Sequence, residues 1–159
     1  EAEKYSSNGK DEAEFYLSVN PGEPLKPLGS VASGGEISRV MLAVKTVLAD
    51  EEDTPTLIFD EIDTGISGIT AGKVGDRLRL IGKSRQVICI THLPQIAATA
   101  DHHFLIRKKA EGTSVRTDVE MLDEAASVEE LARLLGGANV TERVMESAKE
   151  LKELAKCER

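Results

Sequence analysis

The stretch Thr54–Gly68, read as Thr-Pro-Thr-Leu-Ile-Phe-Asp-Glu-Ile-Asp-Thr-Gly-Ile-Ser-Gly, constrains this chain more than any other. Four consecutive apolar or β-branched residues, Thr56 to Phe59, follow Pro55 and run straight into two adjacent carboxylates, Asp60 and Glu61. A run this short, with no polar alternation, suits a strand buried on both faces, as in a parallel sheet. Sheets of that kind gather ligands at the carboxyl ends of their strands. Consecutive strand residues point to opposite sides, so Asp60 and Glu61 are expected to meet different surroundings, one holding a metal and the other a water.

A second apolar run, Gln86-Val-Ile-Cys-Ile-Thr91, reads as another buried strand and delivers His92 at its C-terminal end. Between the two runs, Val74, Leu78 and Ile81 mark a helix from about Ile69 to Ile81, with Gly82 as its stop. Strand, helix, strand implies a parallel pair with both C-terminal ends on one edge. His92 is therefore expected near Asp60 and Glu61. From the residues alone it reads equally as a structural histidine or a functional one.

Upstream, Val31-Ala-Ser-Gly-Gly-Glu-Ile-Ser-Arg39 runs into a helix whose Ile37, Val40, Met41, Val44, Val47 and Leu48 fall on one face. Ser33 is a natural N-cap and Glu36, three residues on, completes a capping box. Gly34 and Gly35 in the first turn cost roughly 1 kcal/mol each relative to alanine. Two readings account for them. Either they are merely permissive beside the cap, or they let an anion such as phosphate approach the bare N–H groups of the helix N-terminus.

The flanking sequence is expected to complete a single α/β domain over residues 1–159, with residues 1–30 forming a hairpin and a proline-rich loop that lead into the helix at Ser33. Asn8-Gly9 is a turn signal and Glu14 to Val19 alternates. Asn20–Leu28 holds three of the five prolines, which predicts a loop without regular structure. Leu93-Pro94-Gln95 opens a short helix to about Ala100. His102–Lys108 and Ser114–Leu122 read as a hairpin around Glu111–Ser114, with His102 and His103 as solvated strand-end residues, since no spacing matches a structural zinc site. Ser127-Val-Glu-Glu130 reads as a second capping box leading to Gly136-Gly137. Asn139 with Glu142 opens a last helix, whose Val144, Ala148, Leu151 and Ala155 are expected to pack onto the domain.

Composition removes several functional classes. Aromatic residues make up 3% and tryptophan is absent, which argues against base-stacking platforms for single strands. A formal net charge of −8 argues against a strongly basic DNA-binding surface, although a local patch is compatible with it. Two cysteines far apart, without a signal peptide or an apolar run near ~20 residues, suit a reducing, cytoplasmic setting without a membrane partner. The chain starts at Glu1, not Met, and its opening segment Glu1–Asp11 is polar. A fragment of a longer protein is the expectation.

A glycine-rich helix start, a strand ending Asp-Glu and a strand ending His share one chemical explanation, phosphoryl transfer to water. That reaction needs a cation on the phosphate oxygens, a group to polarise water, and donors for the γ-phosphate charge. Asp60 suits Mg²⁺, which prefers oxygen ligands and keeps waters. Glu61 suits the attacking water and His92 the γ-phosphate.

These residues also resemble a known family. Ser33-Gly34-Gly35-Glu36 resembles the signature motif of ABC-type ATPases, Thr56–Glu61 a Walker B strand, Asp63–Ser67 a D-loop, and Ile90-Thr91-His92 an H-loop. Asn20-Pro-Gly-Glu, Val31–Arg39, Phe59–Gly68, Thr91–Ala98 and Leu131–Gly137 together resemble the C-terminal half of the ATPase head in the RecN family, SMC-like bacterial DNA repair proteins. The similarity runs from about Gly9 to Lys156. Ala32 and Glu36 depart from the Leu and Gln usual in ABC transporters and favour the SMC-like branch.

The resemblance implies the C-terminal lobe of a P-loop ATPase head, a mainly parallel sheet with flanking helices and a β-hairpin, beside a long coiled coil in the full protein. It implies ATP and Mg²⁺ as cofactors, with Glu61 and His92 catalytic and Asp60 on the metal. Asp63 would contact ATP from the D-loop. Ser33, Gly34, Gly35 and Glu36 would contact in trans an ATP held by a second head. Implied partners are the amino-terminal half with Walker A, a second head in a homodimer, and DNA, in a nucleoid-associated role in double-strand break repair. Gly82-Lys83-Ser84 is no Walker A motif, because Arg77 stands where its first glycine belongs. This chain alone is thus expected to lack ATPase activity. A non-catalytic docking lobe and a transporter's nucleotide-binding subunit are the alternatives.

Overall fold

The computed structural model describes residues 7, 9–11, 13–18, 22–31, 33–48, 54–111 and 114–157. Asn8, Ala32, and Gly112 and Thr113 of the second hairpin's turn lie outside the described residues, as does most of the opening segment. In chain order the elements are β1 (Tyr16–Leu17), β2 (Lys26–Pro27), α1 (Leu28–Val31), α2 (Gly34–Val47), β3 (Thr56–Phe59), α3 (Gly68–Gly82), β4 (Gln86–Cys89), α4 (Pro94–Ala97), β5 (His103–Glu111), β6 (Ser114–Leu122), α5 (Glu124–Gly136) and α6 (Glu142–Cys157). They form a mixed α/β lobe with three two-stranded sheets, β1–β2, β3–β4 and β5–β6.

The pair that positions the site is parallel, as strand–helix–strand requires. Thr56 lies beside Gln86 and Phe59 beside Cys89. Helix α3 crosses over between them and buries Ala71, Val74, Leu78 and Ile81 in steps of three and four. These side chains meet Leu42, Leu57, Phe59, Ile62 and Ile96 in one core cluster. A second cluster joins Ala97 and Ala98 to Leu131 and Ala132 of α5 and Ala148 of α6, with Val144, Leu151 and Ala155 packed against it. The last helix packs onto the domain as its spacing predicts.

Burial of the central strands on both faces does not occur. Leu57 and Phe59 face the core, but Ile58 is 67% exposed, and Ile88 and Ile90 on the neighbouring run are 45% and 48% exposed. Alternate residues of a strand face opposite sides, and only one side of this sheet has a described helix layer. The hairpin repeats the pattern. Phe104 opposes Met121 and Ile106 opposes Val119 on one face, and all four side chains are exposed. An apolar surface of this extent is unusual on a free-standing domain.

Local signals decided other elements differently from expectation. The proline-rich loop is partly regular: Lys26–Pro27 pairs antiparallel with Tyr16–Leu17, and α1 follows directly. Proline lacks an N–H, and a two-stranded edge has room for such a residue. Helix α5 starts before Ser127. Asp123 is its N-cap, accepting a 2.8 Å bond from the Ala126 N–H, while Glu130 bonds Arg133 with both carboxylate oxygens. Ser127 is buried inside the helix, its hydroxyl 2.9 Å from His103 Nδ1. His103 is therefore half-buried rather than solvated, and burial together with the Lys152 charge lowers its pKa. Thr141, not Asn139, caps α6, its hydroxyl accepting from the Val144 N–H at 3.4 Å.

Candidate functional site

Helix α2 begins as its sequence predicts. The Ser33 hydroxyl accepts from the Glu36 N–H, and Glu36 Oε2 accepts from the Ser33 N–H at 2.7 Å, so both halves of the capping box are made. Those bonds, the Ser33 backbone donor first, lower the Glu36 pKa and keep it ionised near the positive helix end.

The packed face of α2 is not the predicted one. Gly35 and Leu42 are buried, whereas Ile37, Met41, Val47 and Leu48 are exposed. Polar bonds to the loop after β3 choose the orientation. Ser38 Oγ donates to the Asp60 carbonyl at 3.0 Å. Arg39 Nη1 donates to the carbonyls of Ile62 and Thr64 at 3.1 and 2.8 Å. A Cβ on Gly35 would lie 2.9 Å from the carbonyl oxygens of both Glu61 and Thr64. Close backbone approach thus gives Gly35 a structural reason that the sequence did not supply. Gly34 differs, because a Cβ there would meet the Glu61 carboxylate oxygen, at 2.6 Å.

From this contrast, Gly35→Ala is expected to destabilise the chain by about 1–3 kcal/mol, as overpacking against fixed backbone does. Gly34→Ala displaces only a flexible side chain and gains helix propensity, so it is expected to leave stability unchanged or raise it by up to about 1 kcal/mol. Denaturant midpoints of the two variants check the order. A reversed order would mean that the loop does not rest on Gly35.

The loop itself is pinned by Ile62, which is fully buried between the acids and Asp63. Asp60 Oδ1 accepts the Glu61 N–H at 2.9 Å, and Glu61 takes φ 57, the left-handed region, which non-glycine residues rarely adopt. Glu61 is thereby turned toward Gly34. Asp60 and Glu61 are both exposed at the carboxyl end of β3. They line, with Asp63, Thr64, Ile90, Thr91 and His92, a recess of ≈ 240 Å³.

Asp63 points inward. Only 4% exposed, its Oδ2 accepts from Thr91 Oγ1 at 2.6 Å and from the His92 N–H at 2.8 Å, and His92 Nδ1 lies 3.0 Å away as an ion-pair partner. Burial opposes its ionisation, but these hydrogen bonds and the His92 charge outweigh burial and lower its pKa. The topology therefore brings together Asp60, Glu61 and His92, with the Ser33–Gly35 helix start against them, and holds Asp63 beneath. Cys89 takes no part. Burial first, then the charges of Asp63 and Asp60, push its thiol up to about 12.

The donor set suits a hard cation that keeps its waters. Asp60 retains an oxygen not used by the Glu61 N–H, and one or two carboxylates beside phosphate oxygens satisfy Mg²⁺. Among the described residues no group of three or more His, Cys, Asp or Glu could hold a metal by itself, so the phosphates would have to complete the shell. No described helix is long and apolar enough to cross a membrane. Sequence reasoning missed Ser38 and Arg39 as loop-holding residues. Their partners lie 22 or more positions away, and nothing local signals them.

No protein-family model matches the sequence. Individual relatives do. DNA repair protein RecN of Halalkalibacterium halodurans is 52% identical over 151 residues, 95% of this chain and 27% of that protein. The RecN of Vibrio cholerae is 49% identical over 143 residues, 90% of this chain and 26% of that protein. That of Bacillus subtilis is 44% identical over 146 residues, 92% of this chain and 25% of that protein. The chain thus spans about a quarter of the length of the curated relatives it matches. A solved chain from work on ATP-driven dimerization and DNA-stimulated activation of SMC ATPases superposes with a TM-score of 0.50 at 19% identity, over 74% of this chain and 70% of that one. That likeness shows the fold.

Proposed function

We propose, from the premise that this chain belongs to the RecN family of DNA repair proteins as a segment about a quarter of such a protein's length, that it forms the carboxy-terminal lobe of an ATPase head hydrolysing ATP between two heads in double-strand break repair. The observation that carries the reading is the meeting of Asp60, Glu61 and His92 at the carboxyl ends of a parallel strand pair. Asp60 holds Mg²⁺, which when bound neutralises phosphate charge. Glu61 polarises the attacking water and His92 faces the γ-phosphate.

The positive start of α2 at Ser33, Gly34 and Gly35 faces a nucleotide held by the partner head, with Glu36 fixed by its cap. Because Ser38 and Arg39 clasp α2 to the Asp60–Thr64 segment, a partner's nucleotide at that helix start is mechanically tied to the loop that carries Glu61. The open faces of β3–β4 and of the hairpin are covered by the amino-terminal half, which carries Walker A. DNA binds through the full-length protein, in the cytoplasm on the nucleoid.

The full-length protein is expected to hydrolyse ATP in a Mg²⁺-dependent, DNA-stimulated manner and to dimerise with ATP. Residues 1–159 alone are expected to do neither. Absence of turnover in the purified full-length protein would overturn the reading, and copurification with a transmembrane partner would favour the transporter alternative.

A further inference from the structure

We infer that Asp63 is a positioning residue, which grips the main chain and the ring of His92 so that Nε2 is the ring atom presented to the reacting phosphate. The inference rests on the ATPase reading above and departs from a direct contact between Asp63 and ATP. One oxygen, Asp63 Oδ2, lies 2.8 Å from the His92 backbone nitrogen and 3.0 Å from His92 Nδ1. A carboxylate oxygen 3.0 Å from a ring nitrogen favours the hydrogen on that nitrogen, because a lone pair there would face a negative oxygen.

The opposite side of the ring is open, with the His92 side chain 73% exposed. A second bond, from Thr91 Oγ1 at 2.6 Å, fixes the carboxylate itself, and that hydroxyl also accepts the Leu93 N–H at 3.0 Å. Asp63 lines the floor of the recess but is only 4% exposed, so its carboxylate is engaged by Thr91 and His92 before any nucleotide. A single carboxylate therefore ties the loop after β3, which bears Asp60 and Glu61, to the loop after β4, which bears His92. Orientation of a histidine by a buried acid, without proton transfer to that acid, is a known way to set a catalytic tautomer.

The test uses the full-length protein with ¹⁵N-labelled histidine. Wild type is expected to show His92 protonated at Nδ1, and a ring protonated only at Nε2 would overturn the inference without recourse to any variant. Asp63→Ala removes the oxygen shared by Thr91 Oγ1, the His92 N–H and His92 Nδ1, so the preference for a hydrogen on Nδ1 is expected to be lost. ATP turnover is then expected to fall roughly 10²-fold with the KM for ATP little changed. In a His92→Ala background the same substitution is expected to have no further effect. A raised KM with unchanged kcat would restore a direct ATP contact for Asp63, and additive losses in the double variant would show that Asp63 acts apart from His92. A wild-type protein without ATPase activity would defeat the proposed function, yet the ¹⁵N spectrum would still report on the Asp63–His92 pair.

Discussion

In the full-length protein, Glu61→Gln is expected to lower ATP turnover by about 10²–10⁴-fold, the range that one general base supplies, while ATP-dependent dimerisation survives. Glutamine matches glutamate in size and still accepts a hydrogen bond, but it does not take up a proton from water. The left-handed backbone at Glu61 and the bonds holding Asp60, Ile62 and Thr64 do not involve the Glu61 carboxylate, so the loop should keep its shape. Removing the charge beside Gly34 should, if anything, ease the approach of a phosphate to the helix start. Steady-state hydrolysis and light scattering with ATP read the two effects separately. Unchanged turnover would favour a non-catalytic docking lobe, in which the acids are merely solvated ends of a strand.

Ile58→Glu is expected to have opposite consequences in two contexts. In residues 1–159 alone, Ile58 is 67% exposed, and a charge there should reduce self-association of the open sheet face with little change in stability. In the full-length protein the amino-terminal half is proposed to cover that face. An unpaired charge would then be buried, at a cost of about 4 kcal/mol or more. Denaturant midpoints of both proteins, with sedimentation of the shorter one, measure the difference. Equal, small effects in both would mean that the face stays open to water in the whole protein.

Much of the site is legible in the residues themselves. The run Thr56–Phe59 became β3 with the same bounds, and the Ser33–Glu36 capping box formed with both of its bonds. The ladder Val74, Leu78 and Ile81 went into the core. What failed had different causes. The apolar stripe of α2 pointed to one face, but Gly35, Ser38 and Arg39 seat the helix by another, because three carbonyls of a distant loop need donors and a close approach. Ser127 and Glu130 had capping-box spacing, yet Asp123, four residues earlier, captured the helix start. Burial of β3 and β4 on both faces is what their uninterrupted apolar runs predict. Composition states what a strand can bury, not whether a second layer is present.

By itself the sequence determined which candidate residues stand at which strand ends, since alternation and strand-forming runs act over a few neighbouring residues. Tertiary structure alone decided how those residues face one another. Asp63 and Thr91 are 28 positions apart, and Ser38 and Asp60 are 22. Whether a carboxylate turns toward a nucleotide or beneath a histidine depends on donors that only folding brings within 3 Å. For Asp63 the Thr91 hydroxyl and the His92 amide supplied those donors, with the His92 ring beside them, and burial is tolerated because an ionised group shielded from water is paired.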